Sequence, residues 1–538
     1  MKRIASILIT FICFQILSAQ ETFTRKDSLQ GGLRPERTCF DVQRYDLNIK
    51  IDIDKKSIVG FNDITFNVVE NTSKIQIDLF ENMQVDSIIY NTKKLDYKRD
   101  YHAVFISFPA DLLNGNTAKV RFYYSGNPII ARLAPWDGGF VFSKDNQGKP
   151  WIGVACQGIG ASLWWPCKDS QSDEPDNGMS IKVAVPDGLM NVSNGKFLGS
   201  ESLNNGYTLW DWEVINPIST YVVTINIADY AHIQDDLGGL SIDYYVLKEN
   251  EEKAKVHFEE VKPMLTCYQS KFGKYPFLED GFKLVETYYL GMEHQSAVSY
   301  GNKYKKGYLG NDLSETGIGL LFDYITIHES AHEWFGNSIT SKDIADVWIH
   351  EGFGQYAESV FIECQYGYNK AKQYLFGLQN NVRNDKPLIG HYGVNNIGSY
   401  DMYPKGALLL NTIRNVINND DLWWKILLNF SETFRHKIID TETLISFFNQ
   451  ESKLNLTPIF NQYLRYTTIP VLELKRNSKN LEYRWKTDVS DFKMPVDIKV
   501  NGKEIRIAPT NSWKKSNIKM NKTTSIKVVA DEFYINVN

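Results

Sequence analysis

His328-Glu329-Ser330-Ala331-His332 carries two histidines four positions apart, and Glu351, in Trp348-Ile349-His350-Glu351-Gly352, follows His332 by 19 positions. On an α-helix, side chains at i and i+4 share one face one turn apart, so both imidazoles can hold one metal ion. Glu329 lies on the same turn, where it can take a proton from a metal-activated water. The spacing to Glu351 leaves room for a loop and a second helix, whose carboxylate completes a His2Glu set and leaves a fourth position for water. That is the arrangement of a catalytic zinc site rather than a structural one, with one zinc per chain. With 9 His in 538 residues, a chance match is on the order of 1%. Ile318, Leu320, Leu321, Phe322, Ile325 and Ile327 precede the motif and predict a buried helix over Leu320 to Phe335.

The chain is too long for one compact core. Its 43% hydrophobic and 23% charged content fits globular protein. A net charge of −5 without a basic block makes nucleic acid a poor candidate partner, and none is expected. Lys2-Arg3, the apolar run Ile4 to Leu17 and the small pair Ser18-Ala19 read as a signal peptide over 1–19. The mature chain is then expected to be exported, periplasmic or secreted, with no transmembrane segment. Cys13 leaves with the signal, and Cys39, Cys156, Cys167, Cys267 and Cys364 remain. Cys156 and Cys167, close in sequence, are expected either to pair or to sit as small buried hydrophobes.

After a linker over 20–38, residues 39–232 read as strands. Tyr45 to Asp54 alternates apolar and polar, and Ile58 to Val69, Ile75 to Phe80, Val104 to Phe108, Ala118 to Tyr124, Ile181 to Val185 and Tyr221 to Ile227 continue the pattern. This predicts a large antiparallel β-domain. Residues 233–468 turn helical, with helices expected at Ala254 to Phe272, from the glutamate ligand to about Gln365, and from Gly406 to Ile417. Strands return over 469–538, where Asn501-Gly502 marks a tight hairpin. The whole is a multidomain α+β chain: N-terminal β-domain, mainly helical catalytic domain, small C-terminal β-sandwich domain.

Three further segments accompany the motif: Leu290-Gly291-Met292-Glu293-His294, Tyr403-Pro404-Lys405-Gly406, and Ala155-Cys156-Gln157-Gly158. With the zinc signature they make the chain resemble the M1 family of zinc aminopeptidases, the group of aminopeptidase N and leukotriene A4 hydrolase. The resemblance covers nearly the whole mature chain and implies a thermolysin-like catalytic domain. It implies that Glu293 grips the free α-amine of a peptide substrate, with Gly291 and Met292 beside it. Tyr403 then stabilises the oxyanion, and Gln157 contacts substrate from the β-domain. His294 stands where the family has Asn, and the large helical C-terminal domain of many members is not expected within these residues. Glu358, seven positions after Glu351, shares its helical face and is either a group orienting a ligand or a solvated surface residue.

The expected reaction is removal of the N-terminal residue from peptides by a zinc-activated water, with Glu329 as general base. An epoxide hydrolase on the same site needs a lipid tunnel. An endopeptidase is disfavoured because Glu293 would repel a peptide carbonyl at the amine end. An inactive binding module is disfavoured by the intact His328, Glu329, His332, Glu351 and Tyr403.

Overall fold

A computed structural model describes residues 22–476, 480–521 and 523–538. The expected signal segment lies outside the described residues. Phe40–Asp52 and Ser57–Val68 form a long hairpin in which Tyr45, Leu47, Ile49 and Ile51 point inward, the period-two pattern of a strand with one buried face. The hairpin sits in the middle of an eight-stranded sheet. One pairing departs from the antiparallel expectation: Phe40–Asp52 runs parallel to Met179–Pro186, with Tyr45 opposite Met179. Alternation fixes which face is buried but not the direction of a neighbour, and the long intervening chain permits a parallel crossover. A four-stranded sheet shares the same core and includes Pro150–Ala155, which leads directly to Gln157.

The segment over 20–38, expected as a linker, is helical at Arg25–Gly31 and Pro35–Thr38. Thr24 and Asp27 form a reciprocal capping box, Leu29 packs with Ala103 and Phe105, and Arg37 makes a buried ion pair with Asp78 at 2.5 Å. The Leu29 and Arg37 contacts reach across the fold, so composition alone did not announce them.

The catalytic domain opens with a five-stranded mixed sheet whose edge strand is Gly291–Met292, paired to Val298–Tyr300. The helix expected over Ala254 to Phe272 is broken by a 3-10 turn, Phe258–Glu260, into Glu251–His257 and Val261–Phe272. Pro263 explains the break, since its ring would collide with the carbonyl four residues back in a continuous helix. The motif helix is shorter than expected, Tyr324–Ala331, started by Asp323 accepting from the Thr326 amide and ending with His332 at its C-cap. Trp348–Tyr366 and Pro404–Ile417 follow as helices.

Cys156 and Cys167 are unpaired and buried in the β-domain core, the second of the two expectations. The disulfide joins Cys267 to Cys364, 97 positions apart, and ties Val261–Phe272 to the end of the helix that carries Glu351. The C-terminal unit holds a four-stranded and a three-stranded sheet. Its Asn501-Gly502 turn has φ of 50° and 81°, as a primed hairpin turn requires. Among the described residues no helix is long and apolar enough to cross a membrane.

Candidate active site

The two helices bring the three predicted ligands together. His328 Nε2 lies 3.3 Å from His332 Nε2, and Glu351 Oε2 is 3.5 and 3.4 Å from them. Among the described residues this is the one His/Cys/Asp/Glu group placed to hold a metal ion, and all three are buried. The outward nitrogens fix the chemistry. His328 Nδ1 bonds Glu358 Oε1 at 2.7 Å, and His332 Nδ1 bonds the Phe335 carbonyl at 2.9 Å. Both partners accept, so each Nδ1 carries the proton and each Nε2 turns a lone pair inward. Two lone pairs and a carboxylate oxygen converging out of water call for a cation, and the His2Glu donor set fits zinc. Glu358 is fully buried, not solvated, and Gln355 and Tyr374 donate to its other oxygen.

Gly354, which the sequence did not single out, makes this closeness possible. A Cβ there would lie 3.0 Å from His332 Cε1 and 3.3 Å from His328 Cε1. The helix carrying Tyr403 crosses the Glu351 helix at Gly352 and Gly406, where a Cβ on Gly406 would meet Gly352 Cα at 2.7 Å. That crossing brings the Tyr403 ring to 5.8 Å from the His328 ring. Burial pushes the Tyr403 phenol well above its ordinary range, so it stays protonated and able to donate.

Burial also raises the carboxyls of Glu329 and Glu293. It opposes ionisation of Glu351 as well, and the Gln157 amide donates to that carboxylate's Oε1 at 2.7 Å. Glu329 borders the cleft beside Gly291, where a Cβ would come within 2.6 Å of its Oε1. Met292 and Glu293 continue the same wall.

Gln157, from the β-domain, bridges the two ends of the site: its Nε2 donates to Glu293 Oε1 at 2.8 Å and to Glu351 Oε1 at 2.7 Å. Two further partners of Glu293 escaped the sequence analysis. Tyr221, expected on a strand, lies in a 3-10 turn and donates its hydroxyl to Glu293 Oε1 at 3.2 Å. Asn337 Nδ2 donates to the Glu293 carbonyl at 2.9 Å. His294 is fully buried against Ser299, and its Nδ1 lies 3.0 Å from the hydroxyl. His350 accepts from the Ser341 amide at 2.8 Å, and burial lowers it to about 3, leaving it neutral.

Comparison with known proteins agrees with this geometry. Residues 42–222 match the peptidase M1 N-terminal domain and residues 256–463 the peptidase family M1 domain. The chain belongs to peptidase family M1. It is 22% identical over 329 residues to endoplasmic reticulum aminopeptidase 1 of Homo sapiens, covering 58% of this chain and 34% of that protein. It is 20% identical over 516 residues to probable aminopeptidase 1 of Sulfurisphaera tokodaii, covering 91% and 62%. The chain therefore spans less than two thirds of the length of these relatives. An M1 zinc metallopeptidase structure from Deinococcus radiodurans superposes with a TM-score of 0.66 at 21% identity, covering 82% of this chain and 96% of that one. Zinc is the metal that the donor set and the family both indicate.

Proposed function

We propose that the chain is an exported zinc aminopeptidase that removes the N-terminal residue from peptides with a free α-amine. The observation that carries this is the Gln157 bridge. One amide nitrogen touches both Glu293 and the metal ligand Glu351, at 2.8 and 2.7 Å. Between amine anchor and metal there is room for the amine and carbonyl of a single residue, so the bond presented is the first one.

Held by His328, His332 and Glu351, zinc supplies a Lewis acid that lowers the pKa of water and polarises a carbonyl. Glu293 receives the substrate ammonium in a charge-assisted bond, with Gln157 and Tyr221 fixing its carboxylate. The edge strand Gly291–Met292 offers backbone groups with which an extended peptide can pair. Glu329 takes a proton from the attacking water and returns it to the leaving amine. Tyr403 donates its hydroxyl to the carbonyl oxygen as that atom gains charge. Another structure of the Deinococcus radiodurans metallopeptidase is described as bound to a Tyr-Ser-Ala substrate, a small peptide of the kind this site would take. The Cys267–Cys364 disulfide supports export to an oxidising compartment.

A panel of aminoacyl-aminocoumarins, with and without chelator, tests the reading alongside Glu329→Gln. Chelator should abolish turnover, and zinc-replete Glu329→Gln should keep its metal and lose at least about a hundredfold in kcat. Chelator-resistant cleavage, or near-normal kcat in the variant, would overturn it.

A further inference from the structure

The cleft at the metal ligands continues into a larger hollow, partly open to solvent, and Trp136, Gln157 and Tyr403 line both spaces. The two are chemically unequal. Glu329 and Gly291 border only the smaller space. Glu329 hands its proton to the leaving amine, so the departing part of the peptide lies there. Glu293 also borders the smaller space, but both donors to its Oε1 reach the larger one: Gln157 lines both spaces and Tyr221 the larger hollow alone. The carbon that bears the substrate α-amine also bears its first side chain. That side chain therefore enters the larger hollow.

The far wall of the hollow comes from outside the sheets and helices that build the metal site. Gln30, Gly31 and Leu33 line it, at the end of the short N-terminal helix. This strap is tied to both domains. Gln30 Nε2 donates to the Ile159 carbonyl at 2.6 Å on the β-domain side. On the catalytic side the Asn395 amide donates to the Asp27 carbonyl at 3.3 Å, and the Phe23 and His391 rings lie 5.1 Å apart. A Cβ on Gly31 would come within 2.2 Å of the Val394 carbonyl carbon, so the strap lies flush on that loop. Asn395 Nδ2 in turn reaches the Gly158 carbonyl at 3.1 Å, next to Gln157.

The wall is apolar in character. Ile344, Val347, Ile397 and Met402 line it, while Leu33, Trp136 and Tyr400 remain 41%, 52% and 64% exposed around it. Exposed apolar groups that surround a concavity are suited to an apolar guest. The carboxylates of the wall are turned onto backbone amides: Asp169 accepts from Ala161 and Ser162, and Asp343 from Ala345 and Gly393. The exposed Lys342 ammonium adds repulsion against a basic side chain.

We infer that the strap Phe23–Leu33 is a specificity element, closing the hollow beside the amine anchor into a receptor for a large apolar N-terminal side chain. The inference rests on the aminopeptidase reading and adds the substrate class. It is tested with phenylalanyl-, leucyl- and alanyl-aminocoumarin on wild type, Leu33→Ala and Leu33→Glu, reading kcat/KM for each. Wild type should favour the phenylalanyl and leucyl substrates over alanyl by at least about tenfold. Leu33→Glu should shrink the phenylalanyl-to-alanyl ratio about tenfold and Leu33→Ala about threefold, since a carboxylate set against the bound ring, and partly desolvated by it, costs more than a lost contact. A wild type that prefers alanyl, or a Leu33→Glu ratio within about twofold of wild type, would overturn the inference. Calorimetric titration of L-phenylalanine and L-alanine into the zinc-loaded enzyme reads the hollow without turnover. Tighter phenylalanine binding that depends on Leu33, with all three coumarins resistant, would leave the receptor standing and sink the aminopeptidase reading. Cleavage with selectivity indifferent to Leu33 would sink the strap alone, as would equal affinity for the two amino acids.

Discussion

Replacing Glu358 by glutamine removes one negative charge while preserving shape, at a residue that touches neither metal nor substrate. Its Oε1 takes the Nδ1–H of His328 at 2.7 Å, and its other oxygen takes donors from Gln355 and Tyr374. All of this is buried. A glutamine that keeps its oxygen toward His328 must turn its NH2 group at the Gln355 NH2, donor against donor. A flipped glutamine faces the His328 N–H with a donor instead. Either way the imidazole exchanges a charge-assisted bond, worth about 1.5–3 kcal/mol, for a neutral or broken one worth about 0–1.5 kcal/mol. The loss to ligand basicity and orientation comes to about 1.5 kcal/mol at the centre of these ranges and up to about 3 kcal/mol where the bond is broken, a weakening of zinc affinity of about 10- to 100-fold. Competition with a chelator of known affinity measures this on apo-protein, with circular dichroism to check the fold. A zinc Kd within about threefold of wild type would refute the claim that Glu358 tunes the metal through His328.

Tyr403→Phe removes the hydroxyl proposed to meet the developing oxyanion. It should lower kcat by about 100- to 1000-fold with little change in KM, and steady-state kinetics on one coumarin substrate reads the split. A change confined to KM would make Tyr403 a binding residue. Glu174 is buried and accepts from Thr340 Oγ1 at 2.7 Å across the domain boundary, and burial pushes it from the ordinary 4.5 up to about 8. A folded carboxyl that holds its proton more tightly than the unfolded one favours the fold below the ordinary value and loses that advantage as pH rises toward 8. Glu174→Gln should therefore match wild type near pH 5 and become the more stable form by pH 8, the gap widening by up to about 1.4 kcal/mol per pH unit. Thermal melts at both pH values check it, and a pH-independent gap would contradict the burial argument.

The metal site was legible because its chemistry is local. The four-residue spacing of His328 and His332 obliges a shared helical face, and the seven-residue step from Glu351 placed Glu358 on the same side as the ligand. Whether Glu358 was buried could not be read from spacing, because burial depends on which helix covers it. Gln157, Tyr221 and Asn337 converge on Glu293 from segments distant in sequence, and only Gln157 had a motif to mark it. Gly354 carries no chemistry of its own, and its role appears only once both imidazoles stand against it. Chain proximity misled for the cysteines. Cys156 and Cys167 are near in sequence but remain unpaired core residues, whereas Cys267 and Cys364 meet because their helices pack. The capping box of Thr24 and Asp27 was a readable signal for the strap helix, hidden by the polar composition around it.

The account turns on Glu293 as an amine anchor, and paired substrates measure it directly: one short peptide with a free N-terminus and the same peptide N-acetylated, on wild type and Glu293→Ala. Acetylation removes the charge that Glu293 would pair with and adds bulk where the chain should end. Wild type should cleave the free peptide at its first bond at least about a thousandfold faster than the blocked one, and Glu293→Ala should narrow that gap by slowing the free peptide. Internal cleavage of the blocked peptide at a comparable rate by the wild-type enzyme would contradict the aminopeptidase assignment, even with zinc bound by His328, His332 and Glu351.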